Sequence, residues 1–254
     1  MLDIFIIKCL SDNFSYLIRD RNTNTVGVVD PSEFLVVDKE IQKKYKKLDF
    51  ILNTHHHDDH VGGNLKLKEK YGSKIVCSKQ DKNNIVGSDV VLNDGDIFSF
   101  GEINFDILHI PGHTLGHIAF YSKKSRAVFT GDTLFSLGCG RIFEGSFEQM
   151  FSSLEKIKNL PINTLIYCGH EYTKKNGEFA ITIDDKNKML IERTKKVSSD
   201  LQKGFPSIPT SLSDELNTNI FLRCDDNKIK NKLKMDNASK FEVFTKLRNL
   251  KDKF

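Results

Sequence analysis

Seven residues in four stretches of the sequence carry donor types that suit metal chemistry. His55, His57, Asp59 and His60 lie in the segment Thr54–His60 with the spacing H-x-H-x-D-H. His113, Asp132 and His170 come later, each after an apolar run and each with a glycine immediately before it. Imidazole nitrogens and carboxylate oxygens bind borderline divalent ions such as zinc, iron or manganese. His55 and His57, two apart on extended backbone, point to the same side. Asp59 and His60 follow a tight turn and can face a second position, so one loop could serve two ions. The preceding glycines let the backbone turn each later side chain into a cleft. All eight histidines fall between positions 55 and 170. One histidine after a strand is usually structural, but four strand ends each bearing a ligand type are not explained by core packing. The other three have plainer readings. His56 orients a neighbour or faces solvent, His109 belongs to its strand, and His117 packs or hydrogen-bonds near the site.

Alternating strands and helices must position these residues. Ile4 to Ile7, Phe14 to Ile18 and Thr25 to Val29 are rich in β-branched and aromatic residues and read as strands. Asp30-Pro31-Ser32 is expected to stop the third and cap a helix reaching about Lys47. Asp49 to Asn53 reads as a strand running into the histidine cluster, and Gly62-Gly63 as opening a helix up to Tyr71. Further strands are expected at Ile75 to Ser78, Ile103 to Ile110, Gly116 to Ser122, Arg126 to Thr130 and Leu165 to Cys168. Ser146 and Gln149 form a capping box before a helix ended by Pro161. Beyond Thr173 the segments are polar and helix-compatible, around Asp185 to Lys203 and Ala238 to Leu250. The Lys- and Asn-rich stretch from Asp225 to Asn237 is expected to be a mobile loop. A boundary is therefore expected near residue 173.

Composition narrows the class. With 254 residues, 39% hydrophobic and 28% charged, the chain suits an ordinary globular protein. No stretch approaches the ~20 apolar residues of a membrane span. The start, Met1 to Lys8, has no basic lead and too short an apolar run for a signal peptide, so a cytoplasmic location is expected. Five scattered cysteines with no Cys-x-x-Cys pair fit a reducing compartment rather than a disulfide framework. The net charge of +4 belongs to the C-terminal third, where residues 171–254 hold 18 Lys/Arg against 13 Asp/Glu. Those charges are interleaved rather than banded, which disfavours a nucleic-acid stripe and allows an anionic small molecule.

H-x-H-x-D-H followed by separate His, Asp and His positions resembles the metallo-β-lactamase superfamily. Within it, the sequence is most similar to the glyoxalase II family of hydroxyacylglutathione hydrolases. The matching segments are Asp12 to Phe14, Val29 to Pro31, Thr54 to Asn64, Pro111 to His117, Thr130 to Phe135, Gly138 to Arg141, Phe143 to Gly145, Tyr167 to Thr173 and Arg248 to Lys251. The resemblance implies an α/β fold: an αββα sandwich over residues 1–173, then a smaller, mostly helical domain over 174–254. It assigns His55, His57 and His113 to one ion, Asp59, His60 and His170 to the other, and Asp132 as the bridge. It implies hydrolysis of S-(2-hydroxyacyl)glutathione thiolesters, S-D-lactoylglutathione giving D-lactate and glutathione. It implies that Arg141, Phe143, Tyr172, Arg248 and Lys251 bind the substrate. Two family positions differ at this end of the site. The family's usual Lys is Arg141 here, which keeps the charge, and its usual Tyr is Phe143, which lacks the hydroxyl. Ile220 stands where the family commonly has Pro.

The expected cofactors are two divalent metal ions per chain, zinc first, with iron or manganese also accommodated. Two ions sharing a water would lower its pKa from 15.7 toward roughly 7 and supply hydroxide. Asp59 and Asp132 are the carboxylates nearest that chemistry. A thiolate leaves without a protonated acid, so the lack of a general acid in these segments fits a thiolester. The expected partner is a small-molecule glutathione thiolester, with neither nucleic acid nor membrane. Two other enzymes of the superfamily compete: a persulfide dioxygenase with one iron held by two His and one Asp, and a metal-dependent phosphodiesterase. The residues beyond Thr173 disfavour the first. A purely structural metal module would usually be closed and Cys-rich, unlike this set.

Overall fold

The computed structural model describes residues 1–254. Two six-stranded sheets form its centre. The first runs in sequence order: β1 (Leu2–Cys9), β2 (Asn13–Asp20), β3 (Val26–Val29), β4 (Phe50–Leu52), β5 (Lys74–Ser78) and β6 (Ser88–Leu92). β1 to β3 pair antiparallel, and β3 to β6 parallel. The second comprises β7 (Ile97–Phe100), β8 (Ile103–His109), β9 (Ile118–Ser122), β10 (Ala127–Gly131), β13 (Leu165–Cys168) and β14 (Thr210–Ser211). Its order is β14-β13-β10-β9-β8-β7. A small ladder of β11 (Leu134–Phe135) and β12 (Gly138–Cys139) stands apart.

The two sheets face each other across a core rich in aromatic side chains, including Phe14, Tyr16, Phe100, Phe105, Phe120 and Phe129. Rings there meet edge-on or tilted, as Tyr16 does with Phe129 and Tyr167. Helices α1 (Phe34–Lys44) and α3 (Asn64–Tyr71) cover the outer face of the first sheet, burying Val37, Ile41 and Leu67 against Leu17, Val28 and Ile51. Six helices belong to the other side: α4 (Phe147–Lys158), α5 (Thr173–Ile183), α6 (Lys188–Gln202), α7 (Leu212–Thr218), α8 (Asn227–Leu233) and α9 (Lys240–Asp252). Their apolar faces share one cluster with Ala119, Tyr121, Val128 and Ile166 of the second sheet. The architecture is the expected αββα sandwich with a helical C-terminal region. No helix is long and apolar enough to cross a membrane.

α4 starts where its sequence indicates, with Ser146 and Gln149 capping reciprocally. Other expectations need correction. Asp225 to Asn237 is not a mobile loop: α8 lies within it, Asp226 caps that helix, and Ile229 is fully buried. Lysines suggest solvation, but one apolar residue and one cap are enough to seat a short helix on an existing core. α1 is capped at Glu33, without a side-chain bond, rather than by Asp30-Pro31-Ser32. Asp30 is instead turned toward Thr54 and His60. The strands β6 and β7 and the helices α5 and α7 carry too little periodicity to have stood out. The chain after Thr173 also returns to the sandwich, since β14 pairs with β13 through Leu165↔Ser211 and Ile166↔Thr210. Ile220 is fully buried in the core shared by the helices and the second sheet.

Candidate metal centre

Four turns at the C-terminal ends of strands converge. β4 leads to His55, His57, Asp59 and His60, with Asp58–Val61 forming a single helical turn, α2. β8 leads to His113, β10 to Asp132 and β13 to His170. Gly131 has a φ of 47°, and a Cβ there would lie 2.4 Å from Thr54 Oγ1, so the turn that presents Asp132 needs glycine. Gly140 is packed as tightly: its Cβ would meet the Asp132 carbonyl oxygen at 1.9 Å.

The ring nitrogens meet in two pockets. His57 Nδ1 is 3.2 Å from His55 Nε2 and 3.0 Å from His113 Nε2. Beside it, His60 Nε2 and His170 Nε2 are 3.3 Å apart, with Asp59 Oδ2 at 3.6 Å and 3.3 Å from them respectively. Asp132 lies between. Its Oδ2 is 3.5 Å from His113 Nε2 and 3.2 Å from His170 Nε2, while Oδ1 is 3.5 Å from His60 Nε2. All seven predicted ligands are therefore brought together, in the two groups that the resemblance implies.

This donor set fits divalent cations. Three nitrogens in one pocket cannot all be satisfied by hydrogen bonds among themselves, whereas one cation accepts all three lone pairs. Bonds of ~2.0–2.1 Å in a tetrahedron separate nitrogens by about 3.3 Å, close to the spacings found. Asp132 Oδ1 is buried and has no hydrogen-bond partner, as expected of an oxygen awaiting a metal. The outward ring nitrogens are fixed, which sets tautomer and aim. His55 Nδ1 meets Thr54 Oγ1 at 3.0 Å, His60 Nδ1 meets Asp30 Oδ2 at 3.1 Å, His113 Nδ1 meets the Arg141 carbonyl at 2.8 Å, and His170 Nδ1 meets Asp12 Oδ1 at 2.8 Å. Asp30 could itself group with His55 and His60. Its oxygens, however, already accept from the Thr54 N–H and hydroxyl, so it orients rather than ligates. Asn13 Nδ2 holds Asp59 Oδ2 at 2.9 Å.

Electrostatics follow from this crowding. Burial opposes charge on Asp132 and Asp59, but the surrounding histidines, with Asn13 at Asp59, overcome it and hold both carboxyls well below the usual range. Burial likewise opposes the His170 imidazolium, yet Asp132, Asp59 and Asp12 push it up to about 11. His55 and His117 are driven far down, by burial first and then by neighbouring histidines.

Two of the predicted substrate residues, Phe143 and Tyr172, pack against ligand rings. The Phe143 ring is 61% exposed and faces the rings of His57 and His113 at 5.9 and 5.0 Å. Tyr172 stacks on His170 at 4.7 Å, its hydroxyl pushed up to about 12 by burial and by Asp12, Asp132 and Asp59. Arg141 is exposed, and its charge acts on both Tyr172 and Lys251. Lys251 is half-buried over the rings of Phe179 and Phe254. Arg248 is the fifth residue that the resemblance assigns to substrate binding. It is 3% exposed, and its guanidinium donates to the carbonyls of Cys139 at 2.7 Å and Gly140 at 3.3 Å and to Asp252 at 3.0 Å.

Several supporting residues escaped sequence reasoning: Asp12, Asn13, Asp30 and Thr54 orient ligands, and Glu144 joins two ligand turns. All five lie in segments that carry the family resemblance, but nothing in the sequence assigned them these roles. His56 is not free in solvent, since it lies between Asp81 and Glu144. His109 ends β8 and meets the Leu115 carbonyl at 2.8 Å.

Residues 11–170 match the family described as the metallo-beta-lactamase superfamily, and residues 171–254 match the hydroxyacylglutathione hydrolase C-terminus. A hydroxyacylglutathione hydrolase of Pelagibacter ubique is 50% identical over 253 residues, covering all of both chains. Among solved structures, ETHE1 from Myxococcus xanthus superposes with a TM-score of 0.70 at 25% identity, covering 98% of this chain and 91% of that one. TTHA1623, in a di-iron-bound form, superposes with a TM-score of 0.57 at 26% identity, covering 65% of this chain and 91% of that one.

Proposed function

The chain belongs to the hydroxyacylglutathione hydrolases, thiolester hydrolases of the metallo-β-lactamase superfamily, and on that premise we propose that it cleaves S-D-lactoylglutathione to D-lactate and glutathione at a dinuclear metal centre. The observation that carries this reading is the division of the Asp132 carboxylate between two adjacent pockets of histidine nitrogens. His55, His57 and His113 would hold one ion, Asp59, His60 and His170 the other, and Asp132 both. Two such ions, zinc or the iron of the TTHA1623 relative, would activate a water as the nucleophile at neutral pH and polarise the thiolester carbonyl.

The chain's own groups do the rest. Asp59, held by Asn13 and 39% exposed, faces the open side of the centre and orients the attacking water. The Tyr172 hydroxyl, which stays protonated at neutral pH, donates a hydrogen bond to the peptide portion of the substrate. Phe143 gives the acyl side an apolar wall and excludes water there. Arg141 and Lys251 receive glutathione carboxylates, and Arg248 braces the Cys139-Gly140 backbone from below. The glutathione thiolate leaves unprotonated, so no residue need act as an acid. Residues 1–173 would carry the chemistry and 174–254 most of the glutathione contacts. Five unpaired, buried thiols suit work in a reducing compartment such as the cytoplasm.

A panel assay tests this directly. Metal-loaded protein should hydrolyse S-D-lactoylglutathione and leave phosphodiesters untouched. Efficient phosphodiester cleavage without thiolester cleavage would refute the reading.

A further inference from the structure

The three-histidine pocket is built from two separate turns, one carrying His55 and His57 and the other His113, and something must hold the turns in register. Glu144 touches both. Its Oε2 accepts from the Leu115 N–H at 2.8 Å, within the His113 turn, and its Oε1 is 3.2 Å from His56 Nε2, within the other. The backbone of the same segment is already fastened to the His113 turn: Phe143 N and Glu144 N donate to the His113 carbonyl at 3.2 and 3.3 Å, and Gly145 N to that of Gly112 at 3.1 Å. Those bonds do not reach the His55–His57 turn; the Glu144 side chain does.

From its other edge, His56 is gripped by Asp81. Its Nδ1 is 2.9 Å from Asp81 Oδ1, a carboxylate that is buried and also held by Asn84 Nδ2 at 3.2 Å. Asp81 in turn abuts Gly116, where a Cβ would come within 2.3 Å of Oδ1. The imidazole is thus clamped between two carboxylates, both of which lean on the 112–117 turn. This matters most for His57. His55, His60, His113 and His170 each have an outward ring nitrogen fixed by a neighbour, whereas the His57 ring makes its hydrogen bonds through Nδ1 alone, inside the pocket. Its aim is set through the backbone, by the residue beside it.

We propose that Glu144 is a positioning residue for the His55–His57–His113 metal pocket, acting through His56 and the Leu115 N–H. The proposal rests on the reading of those three histidines as ligands. Donor atoms must be held within ~0.5 Å for tight metal binding, and loss of an orienting partner typically weakens affinity 10–100-fold. Removing the carboxylate frees the two turns to move apart. The carboxylate makes no contact with Asp59, His60 or His170, whose side chains are held by Asn13, Asp30 and Asp12, so one ion should be affected and the other spared.

The test is calorimetric titration of the metal-free protein with zinc chloride. Wild type should take up two ions. Glu144→Ala should bind one with unchanged affinity and the other at least tenfold more weakly, with a lower kcat and an unchanged KM. Glu144→Gln, which keeps an acceptor for the Leu115 N–H, should recover most of the loss. Equal, wild-type affinities for both ions in Glu144→Ala would overturn the proposal. So would a uniform weakening of both, which a merely structural role would give. Should Glu144→Ala fail to fold, His56→Asn breaks the same contact from the other end and is judged by the same split. A wild-type protein that takes up a single ion contradicts the dinuclear reading instead. Glu144 is then judged on that ion alone: weaker binding in Glu144→Ala supports the proposal, and unchanged binding overturns it.

Discussion

The main-chain N–H of Asp132 donates to Nε2 of His117 at 3.0 Å. His117 is fully buried and also stacks on the ring of His55 at 4.6 Å. A single uncharged imidazole therefore fixes the turn of the bridging carboxylate and backs one histidine of the neighbouring pocket. His117→Phe keeps the stack and removes the acceptor. Stranding a buried N–H costs about 1–3 kcal/mol, so thermal unfolding should shift down and metal retention after dialysis should fall. Unchanged values in both would show that the hydrogen bond has no such role.

Asp132→Ala removes the carboxylate shared by the two pockets. Elemental analysis of the purified variant should find fewer than two ions per chain, and thiolester hydrolysis should fall by orders of magnitude. Retention of two ions would rule out bridging.

Arg141 and Arg248 should respond differently to replacement by Met. Arg141 is exposed, so its loss should raise KM with little change in kcat or stability. Arg248 is buried on the Cys139 and Gly140 carbonyls, so its loss should lower the unfolding temperature as well as raise KM. Steady-state kinetics with parallel melting curves separate the two. Equal stability losses would contradict the assignment.

Burial, then Arg248 and Lys175, lower the Lys251 ammonium to about 8. Its charge is present below that pH and lost above it. Affinity for a carboxylate-bearing substrate should therefore decline as pH rises through about 8, seen as a rise in KM. Lys251→Arg, whose guanidinium stays charged, should move that decline to higher pH. Identical KM profiles for the two proteins would remove Lys251 from substrate binding.

Glu215 is fully buried and pairs with Arg193, which also reaches Ser136, Thr210 and Thr218. Its second oxygen accepts from Leu137 N and Asn219 Nδ2, so the pair ties the C-terminal helices to the β11–β12 ladder beside Asp132. Arg193→Met leaves a buried carboxylate uncompensated, a change of about 3–5 kcal/mol. Chemical denaturation should report it, and Arg193→Met combined with Glu215→Gln should recover part of the loss.

The ligands were legible because metal binding demands particular residue types at strand ends, and His55, His57, Asp59, His60, His113, Asp132 and His170 supply them in a fixed order. The main strands were legible where β-branched and aromatic residues run together. The supporting residues were not. Asp12, Asp30 and Asp81 are ordinary acidic residues in the sequence, and their partners, His170, His60 and His56, are brought to them by tertiary folding. Burial of Arg248 was equally hidden, because its carbonyl partners lie more than a hundred residues away. α8 was missed for the opposite reason: its lysines dominate the local composition, while Ile229 alone anchors it.

The number of divalent ions per chain in fully active protein, measured by elemental mass spectrometry on the same sample as the S-D-lactoylglutathione assay, bears most directly on the dinuclear centre. Two ions per chain, with activity lost as the second is withdrawn, is the predicted result. Full activity with a single ion bound would contradict it.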